Sequence, residues 1–274
     1  MPIQNLFLET SSALYLVEWT KNFPTGSGRQ SQLDASKLDS PSAWVNQLFS
    51  PTLPHEPFAP AVDPVAAAQR NSLDTLSFRR SVRSYAHSPM TRAELAQFLA
   101  LCYPTQVADP AYQPDPLPHA GVKRTSGHVT GCRLFPLVLN VDGLAAGVYY
   151  YDEQKRHLRH ILIEDPMPFV QEHFFQAEFL AASVLILTLG SLSDYLRRYG
   201  DRGYRYMLLD VGLLLQRMYL VTSCLDLSGC TTGSLVQGAF EQWLSVDGFQ
   251  GSVLKAFAIG HKVVDEAEDG NHAA

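Results

Sequence analysis

Several features that would assign a function at once are missing from this sequence. Its four cysteines form no Cys-x-x-Cys pair and its nine histidines show no His-x-x-x-His spacing, so no metal-site motif is present. The amino terminus lacks the basic start and apolar run of a secretory signal, and no apolar run reaches the length of about 20 residues that a membrane span needs. We therefore expect free buried thiols, no metal, no membrane partner and a cytoplasmic protein.

Positive charge is also scarce. The 274 residues carry a formal net charge of -6, and the basic residues are scattered along the chain. A nucleic-acid backbone is usually bound by a basic patch, so nucleic acid is not an expected partner. What the sequence does have is a hydrophobic content of 46%, enough to form a substantial core.

Composition divides the chain into three parts. Residues 1–63 are rich in Pro, Ser and Gly with isolated aromatics, which predicts an extended arm. Such an arm lies across its own domain, covers a partner subunit or remains a disordered leader, and the sequence leaves these alternatives open. Residues 64–262 have regular hydrophobic patterns and form the predicted domain, and the acidic residues 263–274 form a predicted disordered tail.

Helical and strand patterns are interleaved within residues 64–262, but hairpins occur as well, so the predicted fold class is α+β. Thr91 and Glu94 form a capping box that predicts the start of a helix. Further helices are expected at about 168–182 and 204–223. Strands are predicted in the segments "CRLFPLVLNV", "GVYYYD", "HLRHILIE", "SVLILTLG" and "SVLKAFAIG". The proline-dense segment 103–119 is typical of a lid or a binding loop.

The segment "SFRRSVRSY", residues 77–85, interleaves arginines with serines. Alternate side chains of an extended segment point the same way, so Arg79, Ser81 and Arg83 can present guanidinium and hydroxyl groups together. Arginine offers bidentate donors to a phosphate. The alternative is a basic, solvated helix end.

Four segments, taken in order, resemble the nitroreductase superfamily. The run "RRSVRSY" resembles its flavin-phosphate signature, and "RTSGHVTGCRLFPLVLNV" is similar to the segment that lies against the flavin. The stretch "RYGDRGYRYMLLDVGLLLQRMYLV" resembles, more narrowly, the SagB-type azoline dehydrogenases of streptolysin-like and microcin-like peptides. The stretch "TTGSLVQGAFEQWLSVDG" resembles the carboxyl-terminal part of the same group. The resemblance covers residues 76–260.

This resemblance implies a mostly antiparallel sheet flanked by helices, in an obligate homodimer with FMN at the subunit interface. It places Arg79, Ser81 and Arg83 on the ribityl chain and phosphate of FMN. The remaining implied cofactor contacts are Ser126, Gly127, Arg205, Gly233 and Ser234. The turn after Gly127 reads "HVTGCRLF" and is longer than the Ser-Gly-Gly-Ala turn of the family.

The pair Arg198-Tyr199 stands where the azoline dehydrogenases carry Lys-Tyr. Oxidising an azoline to an azole requires a base for one ring proton. A tyrosine with its usual pKa of about 10 is a poor base at neutral pH unless a cation favours its phenolate. Arginine does not give up its proton but supplies a fixed charge. The hypothesis is therefore that Tyr199 is the base and that Arg198 favours its phenolate.

Three functions are open at this point. The first is an FMN-dependent dehydrogenase that converts thiazoline or oxazoline rings of a peptide to thiazole or oxazole, beside a cyclodehydratase, in the maturation of a bacteriocin-like product. The second is a nicotinamide-dependent nitro or quinone reductase, which the missing lysine keeps open. The third is a scaffold subunit that has lost catalysis.

Overall fold

The computed structural model of the chain describes residues 54–58, 75, 79–102, 132–153 and 155–263. Within these ranges nine strands form: β1 (His55–Pro57), β2 (Met90–Thr91), β3 (Cys132–Val138), β4 (Val141–Asp142), β5 (Gly147–Asp152), β6 (His157–Leu162), β7 (Val184–Gly190), β8 (Ser228–Thr232) and β9 (Ser252–Gly260). The α-helices of the same ranges are α1 (Arg92–Cys102), α2 (Met167–His173), α3 (Leu192–Tyr199), α4 (Gly203–Cys224) and α5 (Gln237–Trp243). Two short 3-10 helices span Ala177–Ala181 and Gly200–Arg202.

Seven of these strands form one antiparallel sheet in the order β1-β6-β5-β3-β7-β9-β8. The β3 and β5 strands form the hairpin-like pair that their aromatic and β-branched residues predict. The β2 and β4 strands form a separate parallel pair. The predicted α+β class with a mostly antiparallel sheet flanked by helices is confirmed.

Helices cover both faces of the sheet. Alternate residues of β7 belong to two different hydrophobic clusters: Val184 and Ile186 pack with α1 and α4, and Leu185 and Leu187 pack on the side of α2 and α5. Every residue of β7 is buried. This double burial explains why the strand reads as an unbroken apolar run and not as an alternating one.

The capping box of α1 forms as predicted. The Thr91 amide donates to Glu94 Oε2 over 2.7 Å, and the Glu94 amide donates to Thr91 Oγ1 over 3.2 Å. His261, which follows β9, reaches the same carboxylate, with its Nε2 3.0 Å from Glu94 Oε1. The start of α1 is therefore tied to the end of β9.

The helix expected at 168–182 is wrong in its length. The α2 helix ends at His173, Phe174 is extended, and the Phe175 amide donates to the Ser234 carbonyl. A 3-10 helix then spans Ala177–Ala181. This long-range pairing with the segment after β8 interrupts the helix, and the local sequence does not show it.

Part of the predicted arm belongs to the sheet. The β1 strand pairs with β6, and Phe58 is buried beneath the Arg92 guanidinium. The rest of residues 1–63, the proline-dense loop 103–119 and the tail from residue 264 lie outside the described residues. The three-part division of the chain stays a prediction.

The stretch Gly200–Cys224, which includes α4, is long and apolar enough to cross a membrane by length and composition. Six of its residues are buried in the cluster between α4 and the sheet: Met207, Val211, Leu214, Met218, Tyr219 and Val221. Within the described ranges α4 therefore packs one face on the sheet.

The four cysteines are free, as predicted. Cys102, Cys132 and Cys230 are buried, and Cys224 is half-buried. Burial raises the pKa of the Cys132 thiol to about 12, and burial likewise raises the pKa of Cys102. Both thiols are therefore neutral and unreactive near pH 7.

Candidate active site

Two of the predicted site residues, Gly233 and Ser234, lie at one end of the sheet. They follow β8 directly, and the same sheet end holds the last residue of β7 and the first residues of β3 and β9, since Gly190 pairs with Cys132 and Ser252. Side chains and turns from four strands therefore converge there.

The segment that holds Arg79 and Ser81 runs beside β8, to which its backbone is hydrogen-bonded. The Arg79 guanidinium carbon lies 4.7 Å from the centroid of the Tyr219 ring. Ser81 Oγ donates to Tyr219 Oη over 3.2 Å, and Tyr219 Oη accepts a 2.9 Å hydrogen bond from the Thr231 amide. Tyr219 of α4 thus connects the arginine segment to the end of β8.

The donors of this segment fit an anionic group. Arg79 is half-buried, yet its guanidinium forms no hydrogen bond or ion pair with the described residues. Arg83 is exposed two residues beyond Ser81. Guanidinium groups held in place but not used by carboxylates are suited to a phosphate, and this set fits the phosphate end of FMN.

The Gly233–Ser234 turn is held by hydrogen bonds. The Ser234 amide donates to Thr232 Oγ1 over 2.9 Å, and Thr232 Oγ1 donates to Gln176 Oε1 over 2.9 Å. A Cβ placed on Gly233 would lie 2.5 Å from Lys255 Nζ, so the end of this flexible side chain lies beside the turn. Sequence reasoning missed Lys255, because a lone lysine in a strand carries no motif.

Tyr199, Arg198 and Arg205 form a second group at the junction of α3 and α4. Tyr199 ends α3 and is 36% exposed. Its ring centroid lies 4.9 Å from that of Tyr206 and 6.1 Å from that of Tyr195. Arg205 is exposed in the first turn of α4, and Arg198 precedes Tyr199 in α3 with its side chain outside the described part of the structure.

Tyr195 anchors the junction of α3 and α4 to the core. Its hydroxyl donates to Asp210 Oδ2 of α4 over 2.6 Å and lies 3.7 Å from Cys132 Sγ. Burial and the neighbouring Cys132 and Asp210 raise the pKa of Tyr195, so this phenol stays a neutral donor. The ring of Tyr199 therefore rests on a tyrosine that is anchored to the core.

The Arg79 segment and the α3–α4 junction lie toward opposite ends of α4, and the junction adjoins the sheet end that holds Gly233, since Tyr195 reaches Cys132. Tyr219, beside Arg79, and Arg205 are separated by about 21 Å along the helix at its rise of about 1.5 Å per residue. Ser126 and Gly127, the other predicted flavin contacts, lie outside the described residues. Among the described residues no group of three or more His, Cys, Asp or Glu side chains is arranged to hold a metal ion.

Comparison with known proteins gives one consistent fold. A curated protein of Methanocaldococcus jannaschii, named as a nitroreductase, is 28% identical over 193 residues, which are 69% of this chain and 90% of that protein. A solved structure described as a nitroreductase from Anabaena variabilis has a TM-score of 0.63 at 24% identity. The match covers 78% of this chain but only 42% of that one.

A second solved structure is similar over almost the whole chain. The E. coli microcin synthetase McbBCD complex with truncated pro-MccB17 contains a chain with a TM-score of 0.55 at 16% identity. The match covers 97% of this chain and 95% of that one. At these identities the two solved structures show the fold.

The profile of the nitroreductase family matches residues 76–261, which is more than half of the chain. Members of this family bind FMN, and the donors around Arg79 and the turn at Gly233 fit that cofactor. The chain therefore belongs to the nitroreductase family, as a flavin-dependent oxidoreductase with FMN as its cofactor.

Proposed function

We propose that this protein is an FMN-dependent dehydrogenase that oxidises thiazoline or oxazoline rings of a peptide to thiazole or oxazole in the maturation of a bacteriocin-like product. The likeness to the microcin synthetase complex, which extends over 97% of this chain, supports the proposal. The peptide named for that complex belongs to that protein, and it indicates only the class of substrate to test here.

The observation that carries the proposal is the position of Tyr199. Its ring is partly exposed at the end of α3, and two tyrosine rings contact it. A phenol that is both accessible and held by its neighbours is suited to accept a proton from a bound ring. The next residue, Gly200, has a φ of 58° and turns the chain immediately after Tyr199.

Tyr199, Arg198 and the arginine segment have separate roles in the proposed reaction. Converting an azoline to an azole removes two electrons and two protons from the ring. FMN, when bound, supplies the acceptor for a hydride, which is two of those electrons and one proton. Tyr199, as its phenolate, is the proposed acceptor of the other proton, and Arg198 is the adjacent fixed cation in the sequence. Arg79, Ser81 and Arg83 hold the phosphate end of the cofactor.

A nicotinamide-dependent reductase of nitro compounds or quinones is the second candidate. The M. jannaschii protein, which is named as a nitroreductase, and the arginine at position 198 both favour it. An inactive scaffold subunit is the third candidate, and it predicts a protein that does not retain FMN despite Arg79 and Arg83.

We further propose a cytoplasmic homodimer with FMN at the subunit interface. A cyclodehydratase is the expected partner, because azoline rings arise when cysteine, serine or threonine side chains of a peptide cyclise with loss of water. No nucleic acid or membrane is included among the proposed partners.

The deciding experiment is an anaerobic absorption spectrum of the purified protein during addition of an azoline peptide or of a nicotinamide. Bleaching of the flavin band by the peptide alone is the expected result. Bleaching by nicotinamide alone would assign the protein to the reductases, and a colourless protein that does not bind added FMN would favour the scaffold.

A further inference from the structure

Lys255 is an exposed cation on an otherwise mostly buried strand. It lies in β9, whose residues 256–260 are all buried. Side chains two residues apart in a strand lie on the same face, so Lys255 shares a face with Phe257. The Phe257 ring packs against that of Tyr219, 5.0 Å away, and the Arg79 guanidinium lies over Tyr219. Lys255 therefore lies on the face that carries the predicted phosphate donors.

The ammonium group of Lys255 lies beside the Gly233 turn. It lies against the backbone of Gly233, where a Cβ would approach Nζ to 2.5 Å. Thr232 pairs with Ala256, so Gly233 lies across from Lys255 at the end of β8. No carboxylate of the described residues pairs with this lysine. The cation is directed toward the turn and is not neutralised.

We propose that Lys255 is a positioning residue for FMN, whose ammonium group preferentially stabilises the reduced, more negatively charged form of the cofactor. The inference rests on the proposed placement of the FMN ring beside Gly233 and Ser234, and not on the identity of the substrate. Arg79 and Arg83 serve the phosphate, which keeps the same charge in both redox states. Lys255 acts near the ring, where the charge changes.

The proposal also bears on the arginine at position 198. The azoline dehydrogenases that the chain resembles carry a lysine at that position, and this chain does not. Lys255 lies on a different element, β9, across from Gly233. Its proposed effect is on the cofactor, and it does not take over the position of the family lysine.

The test compares Lys255→Gln with Lys255→Arg, which keeps the charge. The matched control is Lys155→Gln, the same change at an exposed lysine between β5 and β6. For each holoprotein the dissociation constants of oxidised FMN and of chemically reduced FMN are measured, together with the reduction potential. No azoline and no nicotinamide is added.

In Lys255→Gln the affinity for reduced FMN should fall by about fivefold more than that for oxidised FMN, the size expected of one exposed ion pair. The reduction potential should fall accordingly, and Lys255→Arg and Lys155→Gln should stay near the wild type. Equal weakening of both redox states would overturn the proposal, because a phosphate contact has that signature, and so would no change at all. A selective loss in a protein that does not oxidise azolines would leave Lys255 assigned and refute only the proposed substrate.

Discussion

At the scale of single residues, Tyr199 carries the proposed chemistry. Replacing it by phenylalanine removes the only atom that would accept the ring proton and keeps the ring contacts with Tyr195 and Tyr206. We expect Tyr199→Phe to lose at least about 100-fold in azoline turnover, the lower end of general-base contributions, with its FMN content unchanged. Turnover is measured as azole formation per bound FMN.

The control for this change is Tyr206→Phe, since Tyr206 is about equally exposed, at 37%, and contacts Tyr199 edge to face. It should keep most of the activity. If Tyr199→Phe turned over azolines at the wild-type rate, Tyr199 would not be the base. If both variants failed alike, packing of the junction and not proton transfer would be the cause.

Single residues also mark the limit of what the sequence predicts. The arginine segment was found because its residues are adjacent and form a pattern, and the structure holds Arg79 and Ser81 on Tyr219. Tyr219 itself was missed, since it is 138 residues from Ser81 and reads as one more residue of an apolar helix. Lys255 was missed for the same reason: its neighbour Gly233 is distant in sequence.

At the scale of elements, the packing of α3 on α4 depends on Gly203. A Cβ at this position would lie 2.4 Å from the Tyr195 carbonyl carbon, which is backbone and cannot move aside. We expect Gly203→Ala to lower the free energy of unfolding by about 1–3 kcal/mol, the range for overpacking. Equilibrium denaturation in urea measures this change.

Gly238→Ala is the matched control, because Gly238 lies in α5 and a Cβ there would meet nothing within 4 Å. It should be neutral or stabilise the protein by up to about 1 kcal/mol through helix propensity. If both substitutions changed the free energy of unfolding equally, α3 and α4 could separate at no cost, and their close contact at Gly203 would be refuted.

The capping box of α1 makes stability depend on pH. Partial burial alone raises the pKa of Glu94, but the Thr91 amide and the His261 ring outweigh it, so the pKa lies below the ordinary 4.5. Because the folded value is the lower one, the stabilisation is present above about pH 4.5 and is lost as the pH falls through the folded pKa.

We expect the wild type to be more stable than Glu94→Gln at pH 6 and the difference to shrink toward pH 3. Glutamine keeps the capping geometry, so the comparison isolates the charge. The free energy of unfolding at each pH measures it, and a difference that does not change with pH would contradict the lowered pKa of Glu94. The Glu94 side chain is 36% exposed, so solvent screening limits the effect to at most about 1 kcal/mol.

Helices and strands were predictable from the sequence where neighbouring residues determine them. The capping residues of α1 and the apolar or aromatic strands β3, β5, β7 and β9 are read from neighbouring residues. The end of α2 was not predictable, because Phe174 and Phe175 leave the helix to pair with the segment that follows β8. The residues that form this contact are about sixty positions apart, so no local sequence pattern indicates it.

At the scale of the whole molecule, the strand order needed the structure. The central β7 lies between β3 and β9, which are far from each other in sequence, and hydrophobic patterns do not say which strands pair. The α+β class followed from the mixture of hairpins and helices. The antiparallel sheet and the FMN site followed from family resemblance and not from composition.

The outer face of α4 bears on the proposed homodimer. Leu208, Leu209 and Leu213 are 44%, 62% and 67% exposed and recur at helical spacing on one side of the helix. An apolar stripe of this kind is typical of a surface that a partner covers. Leu213→Glu should therefore shift the protein toward the monomer in sedimentation experiments and reduce its FMN content.

Ile163→Glu is the control, since Ile163 is 57% exposed and lies outside α4, in the connection between β6 and α2. It should leave the dimer and the bound FMN unchanged. A Leu213→Glu protein that stayed dimeric would place the subunit interface elsewhere.

A two-fold axis across α4 would explain how Arg79 and Tyr199 could serve one site. Within one chain Arg79 and Tyr199 are near opposite ends of the helix, but a two-fold axis perpendicular to α4 sets the helix antiparallel to its copy. The Tyr199 end of one subunit then approaches the Arg79 end of the other. We propose that each site combines Arg79 of one subunit with Tyr199 of its partner.

Mixing two inactive variants tests this arrangement. Arg79→Ala and Tyr199→Phe homodimers should each lack activity, but after subunit exchange a heterodimer places both substitutions in one site and leaves the other intact. About one quarter of all sites should then be wild type, if subunits pair at random. Sites built from a single chain would stay inactive in every heterodimer, since each would keep one defect. Azole formation after unfolding and refolding the mixture distinguishes the two arrangements, with each variant refolded alone as the control.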